Sequence, residues 1–292
     1  MTDEPAFDPQ LFKAATGRQW QEAAQGWNDH GPMIRAWLKD ATQAMLDMAG
    51  IAPSQRVLDV AAGAGDQTLD IAARVGPHGH VLATDLSPAI LAFARRNAER
   101  AGYRNVETLV GDGETLDDAA SIGPQTFDAV VCRLGLMFFP DPLAGLRAFH
   151  RALKPAGRIC TMVFGAPQNN PCIAILVSTA LKHAGLPPRD PYQPGGLLSL
   201  GKPGLIEGLF AQAGFAEVAT TKMSAPFRLA SVADYLGFVR ASASPIQQIL
   251  GGLDDDAKQA AWNEIKQKLK AFDTATGWEG PNELLLTAAR RI

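Results

Sequence analysis

Three acids and one glycine turn stand where this chain could do chemistry: Asp59 inside the β-rich run RVLDVAA, Gly63-Ala64-Gly65 just after it, Asp85 closing HVLATD, and Asp112 closing NVETLVGD. Each falls where the C-terminal ends of parallel strands open a crevice. Without side chains at Gly63 and Gly65, a ligand could lie against backbone N–H groups at the start of the following helix. Asp85 is spaced to accept both hydroxyls of a ribose, and Asp112 to accept from an exocyclic amino group such as adenine N6. A dinucleotide fingerprint needs a third small residue after the glycine pair, and this chain has Thr68 there.

The elements that must hold these residues follow from the alternation of β-rich and helical patterns between Arg56 and about Gly165, the signature of a parallel sheet covered by helices. Strands are expected over 56–62, 80–85, 105–112, 127–133 and 158–164. Ser87 as N-cap and Pro88 at the first helical position open one connecting helix, and another runs from about Pro142 to Lys154 before a break at Pro155 and Gly157. Residues 14–50 read as two helices. A helix capped by Asn170-Pro171 leads into the loop LPPRDPYQPGG; a helix near 203–214, a strand near 216–229, helices over about 231–272 and a final strand NELLLTAA follow. The expected fold is an α/β, doubly wound, mostly parallel seven-stranded sheet. Residues 1–50 would form an N-terminal helical cover and 51–292 the main domain, with helical insertions at about 166–202 and 231–272.

Composition narrows the partners. Twenty-seven Lys and Arg against thirty Asp and Glu leave a net charge of −3, without the cationic excess that grips nucleic acid through its phosphates. Cys132, Cys160 and Cys172 form no CxxC pair, so neither a disulfide framework nor a zinc site is suggested, and the reducing cytoplasm fits best. The N-terminal MTDEPAFDPQ lacks the basic-then-apolar pattern of a secretory signal, and no run approaches ~18 apolar residues, so no membrane span is expected. His78 and His80 flank Gly79 in a turn on the sheet's opposite side from the crevice, and no metal site is expected.

The stretch VLDVAAGAGD is similar to the first motif of class I S-adenosylmethionine-dependent methyltransferases. Together with GAGDQT, VGDGETL and LGLMFFPDPLAGLRAFHRALKPAGR, it resembles the ubiquinone/menaquinone C-methyltransferase branch and its small-molecule relatives over residues 55–165. The resemblance implies a Rossmann-like fold. It also implies transfer of a methyl group from S-adenosylmethionine, leaving S-adenosylhomocysteine, to a small organic acceptor. By the same resemblance Asp59 and the Ala61 to Gly65 backbone would serve the methionine end, and Asp85 would bind ribose with Leu86 beside adenine. Asp112 with the backbone of Gly113 and Glu114 would read the adenine edge, and the Arg133 carbonyl would approach the cofactor's amino group. Met137 and Phe138 stand where the quinone enzymes carry polar residues, a departure that bears on the acceptor.

Leu136, Met137, Phe138 and Phe164 are expected to wall a mostly apolar acceptor pocket, suited to C- or O-methylation. Trp20 and Trp27 fit either plain helix packing or a helix folded over the cofactor, where the Trp27 indole near a sulfonium would gain cation–π attraction. His30, after Asn28 and Asp29 at a helix break, is the best-placed candidate base, although the sequence fixes no catalytic residue. Two rivals share the crevice: an NAD(P)-dependent oxidoreductase and a cofactor-binding module without transfer chemistry. The acceptor and the oligomeric state, a homodimer included, stay open.

Overall fold

The computed structural model describes residues 8–116, 122–242 and 244–292. Strands β1 (Arg56–Val60), β2 (His80–Asp85), β3 (Val106–Val110), β4 (Phe127–Arg133), β5 (Leu153–Phe164), β6 (Phe215–Ser224) and β10 (Glu283–Arg291) form one sheet in the order β3-β2-β1-β4-β5-β10-β6. The β3-to-β5 strands pair in parallel, and β10 alone runs against its neighbours. This is the doubly wound, mostly parallel arrangement expected. Successive strands are added in one direction from β1 to β3 and in the other from β4 onward, so the ligand crevice opens at the C-terminal tips of β1 and β4.

Local sequence accounts for the elements around that opening. Val57, Leu58 and Val60 are buried, as a central parallel strand covered on both faces requires. Helix α3 (Asp66–Val75) follows the glycine turn. Helix α4 (Pro88–Arg100) starts with the Ser87 hydroxyl accepting from the Ile90 N–H, and α5 (Pro142–Ala152) with the Asp141 carboxylate accepting from the Ala144 N–H.

The two N-terminal helices play different parts. Helix α2 (Gly31–Met48) sends Ile34, Leu38, Ala41, Met45 and Leu46 into the main core at helical spacing. Helix α1 (Pro9–Asp29) buries only Thr16, Ala23 and Ala24, and its Ala24 packs with Ala64 and Ile90 in a small satellite cluster. The boundary expected at residue 50 therefore falls inside a single core. The cover is α1, and residues 1–7 of the expected cover lie outside the described residues.

The C-terminal half adds α6 (Pro171–His183), α7 (Leu205–Gln212), α8 (Val232–Ser242), α9 (Ser244–Leu250) and α10 (Asp255–Leu269). The strand expected over 216–229 is split. Pro226 offers no N–H to a ladder, and β7 (Phe227–Leu229) leaves the main sheet to pair with β9 (Gly277–Gly280), which also pairs β8 (Asp273–Thr274). Trp278 anchors this second sheet, fully buried, stacked on Tyr235 at 4.7 Å and donating to the Leu269 carbonyl at 2.8 Å. Strand β5 also begins earlier than expected. Leu153 pairs with Phe127, and 154–157 bulge out before Arg158 pairs with Ala129, a place where Pro155 and Gly157 are tolerated. Among the described residues no helix is long and apolar enough to cross a membrane.

Candidate functional site

The crevice over the β1, β2 and β4 tips has a backbone floor and an aromatic roof. Val60 to Gly63 and Gly111 with Gly113 form the floor, and Thr16, Trp20 and Trp27 of α1 lie across it. Gly63 has φ +59°, and a Cβ there would approach the Trp27 indole nitrogen at 3.4 Å; glycine keeps the ligand-facing backbone bare. Ala61 (φ +54°) and Leu134 (φ +55°) are side-chain-bearing residues in the left-handed region, one at each tip. Such conformations cost about 1–3 kcal/mol each and persist only where surrounding structure fixes them. Gly135 explains the fixing: a methyl there would collide with the Ala61 Cβ, so the two tip loops touch.

Asp85 is the acid that faces the crevice. Its Oδ2 accepts from the Gly63 N–H at 3.1 Å and its Oδ1 from the Ser87 N–H at 3.0 Å, leaving lone pairs for a ligand. Burial pushes its carboxyl up to about 6, against the opposing pull of the Ser87, Gly63 and Leu86 N–H groups. Leu86 and Ile90 stand beside it in the lining.

Asp59 and Asp112 have other engagements. Asp59 is fully buried beneath the turn, where Thr68 Oγ donates to it at 2.6 Å and Gln67 Nε2 at 3.1 Å. Burial pushes it also up to about 6, with Thr68, Gln67 and Arg133 pulling the other way. It clamps β1 to the first turn of α3, and the Thr68 that departs from a dinucleotide fingerprint is the residue that holds it. Asp112 accepts from the Glu114 N–H on one oxygen and from Lys13 Nζ on the other at 2.6 Å; Lys13 also reaches Glu114 at 2.6 Å. Gly113 lines the crevice beside them, whereas the two acid side chains face α1. Gly65 stands back from the lining and packs on Ala94.

The remaining expected residues divide. Arg133, Phe138 and Trp27 line the crevice. Leu136 and Met137 are buried in the hydrophobic core behind the lining, with the Met137 carbonyl accepting from Ser199 Oγ at 3.0 Å. Phe164 turns to Trp37, ring to ring at 6.3 Å. His30 is set against Phe238, its Nδ1 2.7 Å from the Gly26 carbonyl, and stands outside the lining. Sequence reasoning missed Lys13, Thr16, Leu38 and Phe139. Of these, Phe139 carried the one available signal, an aromatic next to Phe138 just after a strand end.

Comparison with known proteins follows the same geometry. Residues 33–176 match the model of the ubiE/COQ5 methyltransferase family. That segment is similar to the family. A ubiquinone/menaquinone biosynthesis C-methyltransferase UbiE from Teredinibacter turnerae is 33% identical over 141 residues, covering 48% of this chain and 53% of the relative. The chain thus spans about half the length of the curated relatives it matches. The YcgJ protein of Bacillus subtilis superimposes with TM-score 0.58 at 19% identity, over 87% of this chain and 98% of that one. Haemonchus contortus phosphoethanolamine N-methyltransferase 2, in complex with S-adenosyl-L-methionine, gives TM-score 0.55 at 18% identity, over 90% of this chain and 57% of that one. At these identities the structural likeness establishes the fold, that of the class I methyltransferases, and the family match covers the segment that forms the β1–β4 tips.

Proposed function

We propose that this chain is an S-adenosylmethionine-dependent methyltransferase acting on a small, mostly apolar organic acceptor at carbon or oxygen. The observation that carries the reading is Asp85, a carboxylate at the β2 tip with lone pairs turned to the crevice, beside the bare backbone of Gly63. A ribose diol needs such an acceptor, and the flat slot between Leu86, Ile90, Gly111, Gly113 and Phe139 suits an adenine ring. The residues present therefore fit the cofactor: Asp85 would hold the ribose, and the Ala61 to Gly63 backbone the thioether side. When bound, the cofactor supplies a methyl group on a sulfonium, with its own leaving group.

The chain's part is to position and to exclude water. Trp20 and Trp27 meet edge to face at 5.4 Å, and Trp20 meets Phe138 at 5.7 Å, an aromatic roof whose rings would offer a bound sulfonium cation–π attraction. That roof favours a small acceptor over a polymer, which could not thread beneath α1. Among the described lining residues Asp85 is the one carboxylate able to take a proton, and this reading assigns its free lone pairs to the ribose. This supports an acceptor that brings its own electron-rich atom, such as a phenolate oxygen or the ring carbon beside it.

Titration calorimetry with S-adenosylmethionine, S-adenosylhomocysteine, NAD and NADP tests the cofactor, and mass spectrometry of a panel of phenols, quinols, prenyl compounds, amines, tRNA and peptides tests the acceptor. Binding of the two adenosyl thioether compounds and a mass gain on a phenol or quinol is expected. Preference for NAD, or methylation of tRNA or peptide alone, would refute the reading.

A further inference from the structure

Arg133 ends β4, two strands from Asp85 across the order β2-β1-β4, a span of roughly 10 Å at ~4.8 Å per strand. It lines the crevice and is 7% exposed. Among the described residues its guanidinium has few partners for a buried cation. Nη1 donates to Thr42 Oγ at 3.0 Å, and Nη2 stands 3.9 Å from Asp66 Oδ2, beyond hydrogen-bond length. Asp66 Oδ2 is itself buried with no hydrogen-bond partner among the described residues. A guanidinium offers five N–H donors in a planar fork, and buried charges are ordinarily paired and hydrogen-bonded. The unfilled donors lie at the β4 end of a crevice whose β2 end holds the ribose acceptor.

We infer that the Arg133 side chain binds the carboxylate at the amino-acid end of the cofactor. The inference rests on the cofactor reading above and assigns the side chain a role beyond that of its backbone carbonyl. A carboxylate matches the fork in two parallel charge-assisted bonds, and Asp66 serves as the loose counter-ion that keeps the guanidinium in place before the ligand arrives. Thr42, one turn beyond the lining residue Leu38 on α2, fixes the orientation.

The test uses two ligands that differ in the amino-acid end, carboxylate and ammonium together: S-adenosylhomocysteine, and 5′-methylthioadenosine, which keeps the adenosine and thioether but lacks the amino acid. Calorimetry on the full chain compares the wild type with Arg133→Met and Arg133→Lys. Arg133→Met should weaken S-adenosylhomocysteine by about 10- to 100-fold, the usual worth of hydrogen bonds to a charged group, and leave 5′-methylthioadenosine unchanged. Arg133→Lys, which keeps the buried charge and so guards against a variant that fails to fold, should show a smaller loss with the same selectivity. Equal losses on both ligands, or undiminished S-adenosylhomocysteine binding, would overturn the inference and leave the cofactor reading standing. A wild-type chain that binds neither ligand would overturn both.

Discussion

On the β1–β2 side of the crevice, the lining comes from one local stretch, residues 60–90, and centres on the bare Gly63 backbone and the Asp85 carboxylate. On the opposite side the lining groups are indoles from α1, the Leu38 side chain from α2, and phenyl and guanidinium groups from the β4 tip and the turn after it, meeting from distant parts of the chain. The first side is held by strand geometry and a glycine turn, and Asp85 is its one charged side chain. The second presents mainly side chains, so a substitution there changes the crevice wall directly.

Two neighbouring residues sharpen this contrast most. Met137 is buried in the core, and Phe138 lines the crevice against Trp20. Met137→Ala should destabilise the fold by about 2–5 kcal/mol through loss of buried volume, read by denaturant unfolding. Phe138→Ala should raise the acceptor KM and leave S-adenosylhomocysteine affinity in place. A Met137→Ala chain of full stability, or equal effects of both changes on cofactor binding, would erase the distinction.

Asp85→Ala attacks the other side. Loss of its two hydrogen bonds to a diol should weaken S-adenosylhomocysteine by about 1.5–3 kcal/mol, measured by calorimetry with circular dichroism to confirm folding. Because burial raises the Asp85 carboxyl to about 6, protonation below that value removes the ionised acceptor. Affinity should then decline toward about tenfold per pH unit, a slope that Asp85→Asn abolishes. Stability of the ligand-free chain responds with the opposite sign: a carboxyl raised on folding contributes stability when protonated and loses it as pH rises through about 6. Affinity that stays level from pH 7 to 5 would show that the ribose is held elsewhere.

How much of this was legible in the sequence follows the same division. The β1, β2 and β4 tips were readable because parallel strands, glycine turns and helix caps are local patterns, and Asp85 sits at a strand end whose position they fix. Asp59 was readable as important but not as an inward clamp, since its orientation depends on Gln67 and Thr68 across the glycine turn, in the first turn of α3. Lys13 on Asp112 joins residues 99 apart, and no periodicity encodes such a pairing. The second sheet was invisible for a like reason: Phe227–Leu229 is strand-like in either sheet, and what moves it is a partner fifty residues on, Gly277–Gly280.

Contact between the tip loops supplies a further comparison, between a crowded glycine and an open one. A methyl at Gly135 would strike Ala61, whereas Gly17 in the middle of α1 has nothing within 4 Å of where a Cβ would stand. Gly135→Ala should destabilise by about 1–3 kcal/mol through overpacking, and Gly17→Ala should stabilise by about 0.5–1 kcal/mol through helix propensity. Thermal unfolding of both, with and without S-adenosylhomocysteine, checks them. A neutral Gly135→Ala would mean that the strained tips can separate.

The smallest expected effect tests whether α1 moves. Lys13 ties the start of α1 to Asp112 and Glu114 just after β3, and its side chain is 15% exposed against 24% and 10% for the two acids. Burial works to lower the Lys13 ammonium, and its hydrogen bonds and attraction to the two carboxylates outweigh that, raising it above the ordinary lysine value. Helix α1 buries few residues in the core; these ion pairs tie its start, while Gln21 accepts from Ser87 Oγ and Asn28 accepts from Asn97 Nδ2 farther along it. Partly exposed pairs are worth about 0.2–1 kcal/mol, which corresponds to at most about a fivefold change. Lys13→Ala should therefore release S-adenosylhomocysteine up to about five times faster, followed by stopped-flow tryptophan fluorescence from Trp20 and Trp27. Half-molar salt should speed release in the wild type, through screening, and do much less in the variant. Release at an unchanged rate, with the same salt dependence in both chains, would make α1 a fixed wall and place the gate on the acceptor side.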